Sequence, residues 1–458
     1  MARGRARGSQ NGDLILRDGS RVGVIGGGPA GSFFGYFLLD MAERVGIELD
    51  VEILEPRDFS VPGAQSCNMC GGIVSESLVQ ALAAEGINLP PSVVERGIDS
   101  YVLHMREGSV RIETPLLEKR IAAVHRGAGP RGAQDWRWQS FDGFLLDRVL
   151  SRGAKLVRER VEDVRWHEGR PSVVGAGREP RAYDLLAVAA GVNTSILDKL
   201  GALSHSYRPP RTTKTYICEI HLGVDGVHEL FGSAMHVFLL DLPRLEFAAL
   251  IPKGEHVTLC LLGERIDGDL VRAFLASPEV RGCLPPGWSA PKDLCRCAPH
   301  MNVGPARRPY ADRVVFVGDS GVARLYKDGI GSAYRTAKAA AVTAVFDGIS
   351  GDAFGRRFAR SCRAIRADNA IGRLVFAIAG RQRSQRSACR GILRMAAAEQ
   401  RLSGNARRMS MVLWDVFTGS APYREVFVRT LHPLFWGRLL WEIGSGIATR
   451  EPARERPV

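Results

Sequence analysis

Long apolar runs are missing from this chain. No stretch reaches the roughly 20 apolar residues that a membrane-spanning helix needs. The most apolar stretch near the C-terminal end, residues 426–448, is broken by Arg429, His432, Pro433, Arg438 and Glu442. That excludes a spanning helix and leaves open a peripheral membrane contact. The first twenty residues lack the apolar core of a secretory signal, and residues 1–19 read as a disordered basic tail. Cysteine is too sparse for a disulfide scaffold: nine residues, an odd number, scattered over 458. The two absences together predict a reducing compartment, the cytoplasm, with mostly free thiols. Acidic residues are nearly absent from one segment. Between Arg356 and Arg408 stand fourteen Arg and no Lys, against only Asp368 and Glu399, so this segment holds +12 of the chain's net +13. A basic segment so local suits an anionic lipid, a diphosphate or, less well, nucleic acid.

What is present begins with a nucleotide signature. Arg21 to Ile25 reads as a short buried strand. It runs into Gly26-Gly27-Gly28-Pro29-Ala30-Gly31, a G-x-G-x-x-G turn, and then a helical run from Ser32 to about Arg44. A second strand, Asp50 to Leu54, ends in Glu55, followed by Pro56 and Arg57. Gly26 permits the tight turn, Gly28 lets backbone approach a pyrophosphate, and Gly31 lets helix and strand pack closely. The helix start offers unpaired N–H groups to phosphate. Glu55 stands at the spacing of a ribose-binding carboxylate. A glycine-rich turn with no ligand is the bland alternative, but strand, glycines, helix, strand and acid all occur in order.

A second signal lies far downstream. Arg313 to Val317 reads as a strand leading into Gly318-Asp319-Ser320, and Lys327-Asp328-Gly329-Ile330-Gly331 opens an Ala-rich helix. An Asp after such a strand suits a ribitol hydroxyl. A glycine-rich helix start suits the electron-rich edge of a flavin ring. The pair of signals therefore points to FAD rather than NAD; an ordinary helix cap is the bland reading of Asp319. A third strand and turn, Asp184 to Gly191, returns the chain to the same unit. Gly175-Ala176-Gly177 reads as a hairpin, so no second nucleotide domain is expected. NADPH or another external donor would reduce the flavin transiently.

Three further segments carry a family resemblance. Ser66-Cys67-Asn68-Met69-Cys70-Gly71-Gly72-Ile73-Val74-Ser75, the strand and turn Glu246 to Val257 with Phe247, Ala249, Ile251, Pro252 and Lys253, and the Gly318 to Ala333 segment resemble motifs of the geranylgeranyl reductase family, FAD-dependent oxidoreductases of the p-hydroxybenzoate hydroxylase-like fold. The resemblance runs from about Arg21 to Phe346. It departs from the family pattern at Phe247, Ala249 and Ile251, where the family has Tyr, Trp and Phe, and at Lys327-Asp328. Loss of the Trp opens space, since an aromatic side chain buries roughly 150–250 Å². The resemblance implies that Cys70, Gly71 and Gly72 lie against the flavin, with Cys70 as the catalytic candidate, and that Phe247, Ala249 and Ile251 line the substrate cavity. Two other readings of Cys67 and Cys70 stay open, a pair of small buried residues or a redox dithiol. Cys295, Cys297 and His300 fit no four-ligand zinc spacing, and no metal is expected.

The expected fold class is α/β: a Rossmann-type FAD-binding domain, an antiparallel β-sheet substrate domain and a C-terminal helical region. The expected divisions are 20–97, 126–205 and 305–350 for the FAD-binding domain, 98–125 and 206–304 for the substrate domain, and 351–458 for the helices. Arg137 or Gln139, just before a helix at Phe141 to Ala154, are pyrophosphate candidates. The expected activity is hydride transfer from reduced flavin to a C=C bond of a hydrophobic isoprenoid or lipid. The alternatives are a monooxygenase or halogenase acting on a hydrophobic aromatic, and an electron-transfer flavoprotein linked to membrane quinone. Arg on one face with Trp414, Phe417, Phe427, Phe435, Trp436 and Trp441 suits either an interfacial helix or a packed cap with a solvated basic face.

Overall fold

The structure, a computed structural model, describes residues 14–63, 70–114, 121–130, 139–175, 179–202 and 206–448, without the side chains of 405 and 446–448. Cys67, Arg137, the 176–178 turn and the tail up to residue 13 lie outside the described residues. Leu14 and Leu16, expected within that tail, pack on the core instead, while residues 15 and 17–19 are exposed. Leu16 is buried in the core, and the carbonyl of Leu14 accepts from Ile349 N at 2.8 Å.

Short segments rich in Val, Ile and Leu build a six-stranded sheet whose central strands are buried on both faces. Its order is Tyr310–Ala311, Val314–Phe316, Leu185–Val188, Ser20–Ile25, Leu49–Leu54 and Lys155–Val157. All pairings are parallel except the first. The register puts Leu54, Ile25, Val188 and Phe316 side by side. Four strands therefore end in one row, and everything that follows them in sequence emerges at the same edge. Helices Pro29–Val45 and Gly329–Phe346 pack together on one face, with Phe33 and Phe37 edge-on to Tyr334. The buried alanines of the second helix, Ala337, Ala340, Ala341 and Ala344, allow that close approach.

The second sheet has seven strands, in the order Cys295–Cys297, Tyr216–His221, His256–Gly263, Leu245–Lys253, Ala234–Phe238, Ser100–Met105 and Gly108–Glu113. Only the pairing of Ala234–Phe238 with Ser100–Met105 is parallel. Alternation along each strand sorts residues between two cores. Phe247, Ala249 and Ile251 join one cluster; Ala248 and Leu250 join another beneath helices Gly223–Phe231 and Gly268–Ala276. Ile121–Ala123 does not join this sheet: it pairs with Ile73–Val74 and Arg96–Ile98 beside the first unit. Strands Arg170–Gly175 and Arg181–Ala182 pair antiparallel across the expected hairpin.

From residue 351 to 448 the chain is mainly helical, as expected. Helices Phe358–Arg383, Arg386–Glu399, Arg408–Thr418, Tyr423–Thr430 and Pro433–Ala448 pack on the same side of the seven-stranded sheet as Phe247. Trp414, fully inside, lies tilted against Tyr101 with ring centres 5.6 Å apart and donates its indole N–H to Glu76 at 2.9 Å. Among the described residues no helix is long and apolar enough to cross a membrane. None of the described cysteines is in a disulfide.

Candidate functional site

A cavity of about 1000 Å³ opens where the aligned strand ends of the first sheet meet the seven-stranded sheet and the C-terminal helices. That is the upper end of the range for small-molecule sites. Open α/β sheets bind ligands outside the carboxyl ends of their strands, and the chain places both glycine turns there.

Two missing side chains make the floor. A Cβ on Gly31 would lie 1.9 Å from the Gly26 carbonyl oxygen, so only glycine lets helix Pro29–Val45 start so close to its strand. Gly318 has φ +63°, and a Cβ there would lie 2.6 Å from Cβ of Ala30. The distant second turn is thus pressed directly against the first. Neither helix start has a side-chain cap, at Gly28 or at Asp328. Two helix N-termini therefore present their positive ends at the cavity.

Around them stand fixed charges. Glu55 lines the cavity, its carboxylate accepting from Gly27 N at 2.9 Å and from Arg57 Nε at 3.0 Å. Arg126 also lines it. Its guanidinium grips the fully buried Asp142 in a fork, Nε to Oδ1 at 2.9 Å and Nη2 to Oδ2 at 2.8 Å. Burial works against the Arg126 charge, but Asp142 outweighs it, with smaller contributions from Cys70 and Asp319, so the guanidinium stays protonated. Asp142 opens helix Phe141–Leu150, which Ser140 caps by accepting from Gly143 N at 2.8 Å.

Asp319 faces the same space. Its carboxyl makes no hydrogen bond or ion pair with any described residue, and burial raises its pKa while Arg126 pulls it down. Cys70, Gly71 and Gly72 form the side wall next to Cys260 and Ile251. Under them lies Lys253, 1% exposed. Near it burial, with Lys253 and His256 adding, holds His125 neutral; burial raises Glu219, and Lys253 opposes that.

Most of the residues expected from sequence converge. Gly26, Gly28, Pro29, Ala30, Glu55, Pro56, Arg57, Cys70, Gly71, Gly72, Gly191, Asp319, Gly329 and Ile330 line the cavity, as do Phe247, Ala249 and Ile251. Gly31, Gly318 and Gly331 lie behind the lining and act by close packing. Gln139 is a correction. It is exposed and donates to Asp147 at 3.1 Å, outside the cavity, because it precedes the Ser140 cap on the outer side of its helix. The cation on this side is Arg126, sixteen residues before Asp142. A lone Arg followed by glycines carries no motif; only its pairing with an acid in a helix's first turn could have flagged it.

The far half of the cavity is apolar. Ile217, Met235, Val237, Cys260 and Leu262 join Phe247, Ala249 and Ile251, and Phe417 arrives from the C-terminal helices. Phe247 meets Phe417 at 5.3 Å and lies parallel to Phe376 at 6.1 Å. Lys327 sits between the halves, 7% exposed. It donates to the carbonyls of Asp415 at 2.8 Å and Ala421 at 3.1 Å and lies 3.9 Å from the Tyr423 ring centre. Burial, then Arg324, brings its pKa down to about 7.

No protein-family model and no curated protein matches the chain. Solved structures do. A geranylgeranyl bacteriochlorophyll reductase-like protein from Thermoplasma acidophilum aligns with TM-score 0.61 at 14% identity, over 94% of this chain and 100% of that one. A flavoprotein/dehydrogenase from Cytophaga hutchinsonii gives 0.62 at 14% identity over the same shares. The halogenase PltM in complex with phloroglucinol and FAD gives 0.56 at 13% identity, over 95% and 93%. At this identity the likeness is one of fold, and the chain has the fold shared by geranylgeranyl reductase-like flavoproteins and flavin-dependent halogenases.

Proposed function

We propose that the chain is an FAD-dependent oxidoreductase that reduces a C=C bond of a hydrophobic isoprenoid or lipid substrate. The observation that carries the reading is the contact of Gly318 with Ala30, which joins the two glycine turns at one cavity, polar at one end and apolar at the other. FAD fits the residues present. The uncapped helix start at Gly28 and the cation of Arg126 suit a pyrophosphate, the free carboxyl of Asp319 suits a ribitol hydroxyl, and the start at Gly329 suits the ring's electron-rich edge. Bound flavin would supply hydride, itself reduced by NADPH or another external donor.

The chain's own residues do the rest. Asp142 fixes Arg126, so its charge needs no reorganisation when phosphate arrives. Phe247, Ala249, Ile251 and Phe417 hold an apolar tail and exclude water. Cys70 lies where the two halves meet. Lys327, with its lowered pKa, is the cavity-lining group best suited to exchange a proton near neutral pH.

The C-terminal helices expose Val428, Leu431, Leu434, Leu440 and Trp441, each 58–73% accessible. This supports peripheral contact with a lipid surface, from which an apolar substrate would enter without crossing water.

The test is anaerobic photoreduction of the purified yellow protein, followed by geranylgeranyl diphosphate. Reoxidation of the flavin with a product heavier by one dihydrogen per bond supports the reading. Flavin that reoxidises only with oxygen, leaving a hydroxylated or halogenated aromatic, favours the second reading. The likeness in fold to the halogenase PltM, solved in complex with phloroglucinol and FAD, gives that reading its support. A preparation that takes up no flavin ends both.

A further inference from the structure

On the face of the seven-stranded sheet away from the cavity, three ligating side chains meet. His104 comes from strand Ser100–Met105, His236 from the neighbouring parallel strand Ala234–Phe238, and Cys283 from just beyond helix Pro278–Arg281. Their register pairs Val102 with His236 and His104 with Phe238, which puts both imidazoles on one face, two residues apart along the ladder. His104 Nε2 lies 3.0 Å from His236 Nδ1, His236 Nδ1 lies 3.2 Å from Cys283 Sγ, and Cys283 Sγ lies 3.6 Å from His104 Nε2.

We propose that His104, His236 and Cys283 form a zinc site. The geometry carries the assignment. Zinc takes imidazole nitrogen at about 2.0–2.1 Å and thiolate sulfur at about 2.3 Å in a tetrahedron. The edges of such a tetrahedron are about 3.3 Å between nitrogens and about 3.6 Å from nitrogen to sulfur. Of the three observed sides, that from Cys283 to His104 matches at 3.6 Å; the other two, at 3.0 Å and 3.2 Å, are a few tenths of an ångström shorter, so the trio would spread slightly as an ion enters. Two imidazoles and one sulfur also match the ligand types that zinc prefers.

The surroundings agree. The Phe238 ring stacks on His104 at 4.7 Å and that of Phe231 lies 4.8 Å from His236, an apolar shell that strengthens coordination. His104 is half-buried and gives the ion a way in; His236 and Cys283 are buried. The fourth position falls to water. Binding displaces the thiol proton of Cys283 to solvent, zinc stays divalent, and no electron moves. Cys283 thiol otherwise points at the Glu279 carbonyl at 3.3 Å. The site would pin the segment after helix Gly268–Ala276 to the sheet, a structural role independent of the flavin cavity.

The test uses the tag-free full-length protein, equilibrated with zinc sulfate, desalted, and assayed for metal by mass spectrometry. One zinc per chain is expected, falling to background in Cys283→Ser and His236→Asn while the soluble yield holds. X-ray absorption at the zinc edge of the wild-type protein covers the case in which the variants fail to fold; it should show a mixed nitrogen shell with one sulfur. Metal-free wild-type protein, a zinc shell without sulfur, or full zinc in both variants would overturn the site and leave the trio as a neutral hydrogen-bonded cluster. Flavin content is not part of the readout, so failure of the cofactor reading leaves this test intact.

Discussion

The two halves of the cavity are built on different terms. The parallel-sheet half is shaped by backbone: strand ends in register, helix starts without caps, and glycines where any other residue would collide. Two of its charges are locked by partners, Arg126 on Asp142 and Glu55 on Arg57, while the Asp319 carboxyl makes no such contact with any described residue. The antiparallel half is a lining of interchangeable apolar side chains, with Phe247, Ala249 and Ile251 facing Phe417. The first half tolerates almost no added atom. The second should tolerate many and change only what it accepts.

Substitutions can break or sharpen that contrast. The largest effect is expected for Asp142→Ala, which strands a buried guanidinium. Loss of one partner of such a pair costs about 3–5 kcal/mol, to be read as a lower denaturant midpoint together with loss of bound flavin; unchanged stability would show that solvent reaches Arg126 freely. Next comes Gly31→Ala. Its new methyl would meet backbone rather than a movable side chain, so overpacking of roughly 1–3 kcal/mol is expected, with flavin absorbance falling in step. If the variant binds flavin like wild type, the floor is looser than its geometry.

Lys327→Met tests the boundary between the halves. The pKa of Lys327 lies near 7 in the folded chain and at the ordinary 10.5 when unfolded. Between these values the unfolded chain binds the extra proton, so this group makes stability rise with pH, by at most about 1.4 kcal/mol per pH unit. Lys327→Met should flatten that rise between pH 7 and 9, and equal slopes for the two proteins would remove the case for a neutral lysine there. The mildest change to the fold is expected from Ala249→Trp. The protein should keep its flavin and its melting temperature while KM for a long apolar substrate rises about tenfold, close to 1.4 kcal/mol. Loss of flavin instead would mean that the wall also holds the cofactor.

The same contrast governs how far the sequence could be read. Glycine turns are legible because steric exclusion leaves one residue type, so Gly26, Gly28, Gly31, Gly318 and Asp319 could be placed before any coordinates. Strand segments that alternate or run apolar were legible too, within a residue or two at each end. Arg126 was not, because its role depends on a partner sixteen residues away and not on a local pattern. Nor were the contacts of Lys327 with Asp415 and Ala421, or of Phe247 with Phe417, since a helical cap of apolar and Arg residues does not say which of its faces closes which gap. The His104, His236 and Cys283 trio shows the limit most plainly: its members lie 132 and 47 residues apart and match no metal-binding spacing.

One consequence of the strand row concerns synthesis. Val314–Phe316 and helix Gly329–Phe346 complete a sheet whose first strand is Ser20–Ile25. At about 5–20 residues per second, a ribosome takes about 15–60 s to deliver the roughly 300 residues between them. Throughout that interval the nascent first strands have an open edge, first at Ser20–Ile25 and, once it is made, at Leu185–Val188, and no second helix against Phe33 and Phe37. The seven-stranded unit emerges meanwhile and can fold as an insertion. The nucleotide-type unit is therefore the first to be begun but cannot close until residue 346 has cleared the tunnel, and its exposed apolar strands mark the nascent chain as one that a trigger-type chaperone would be expected to shield until then.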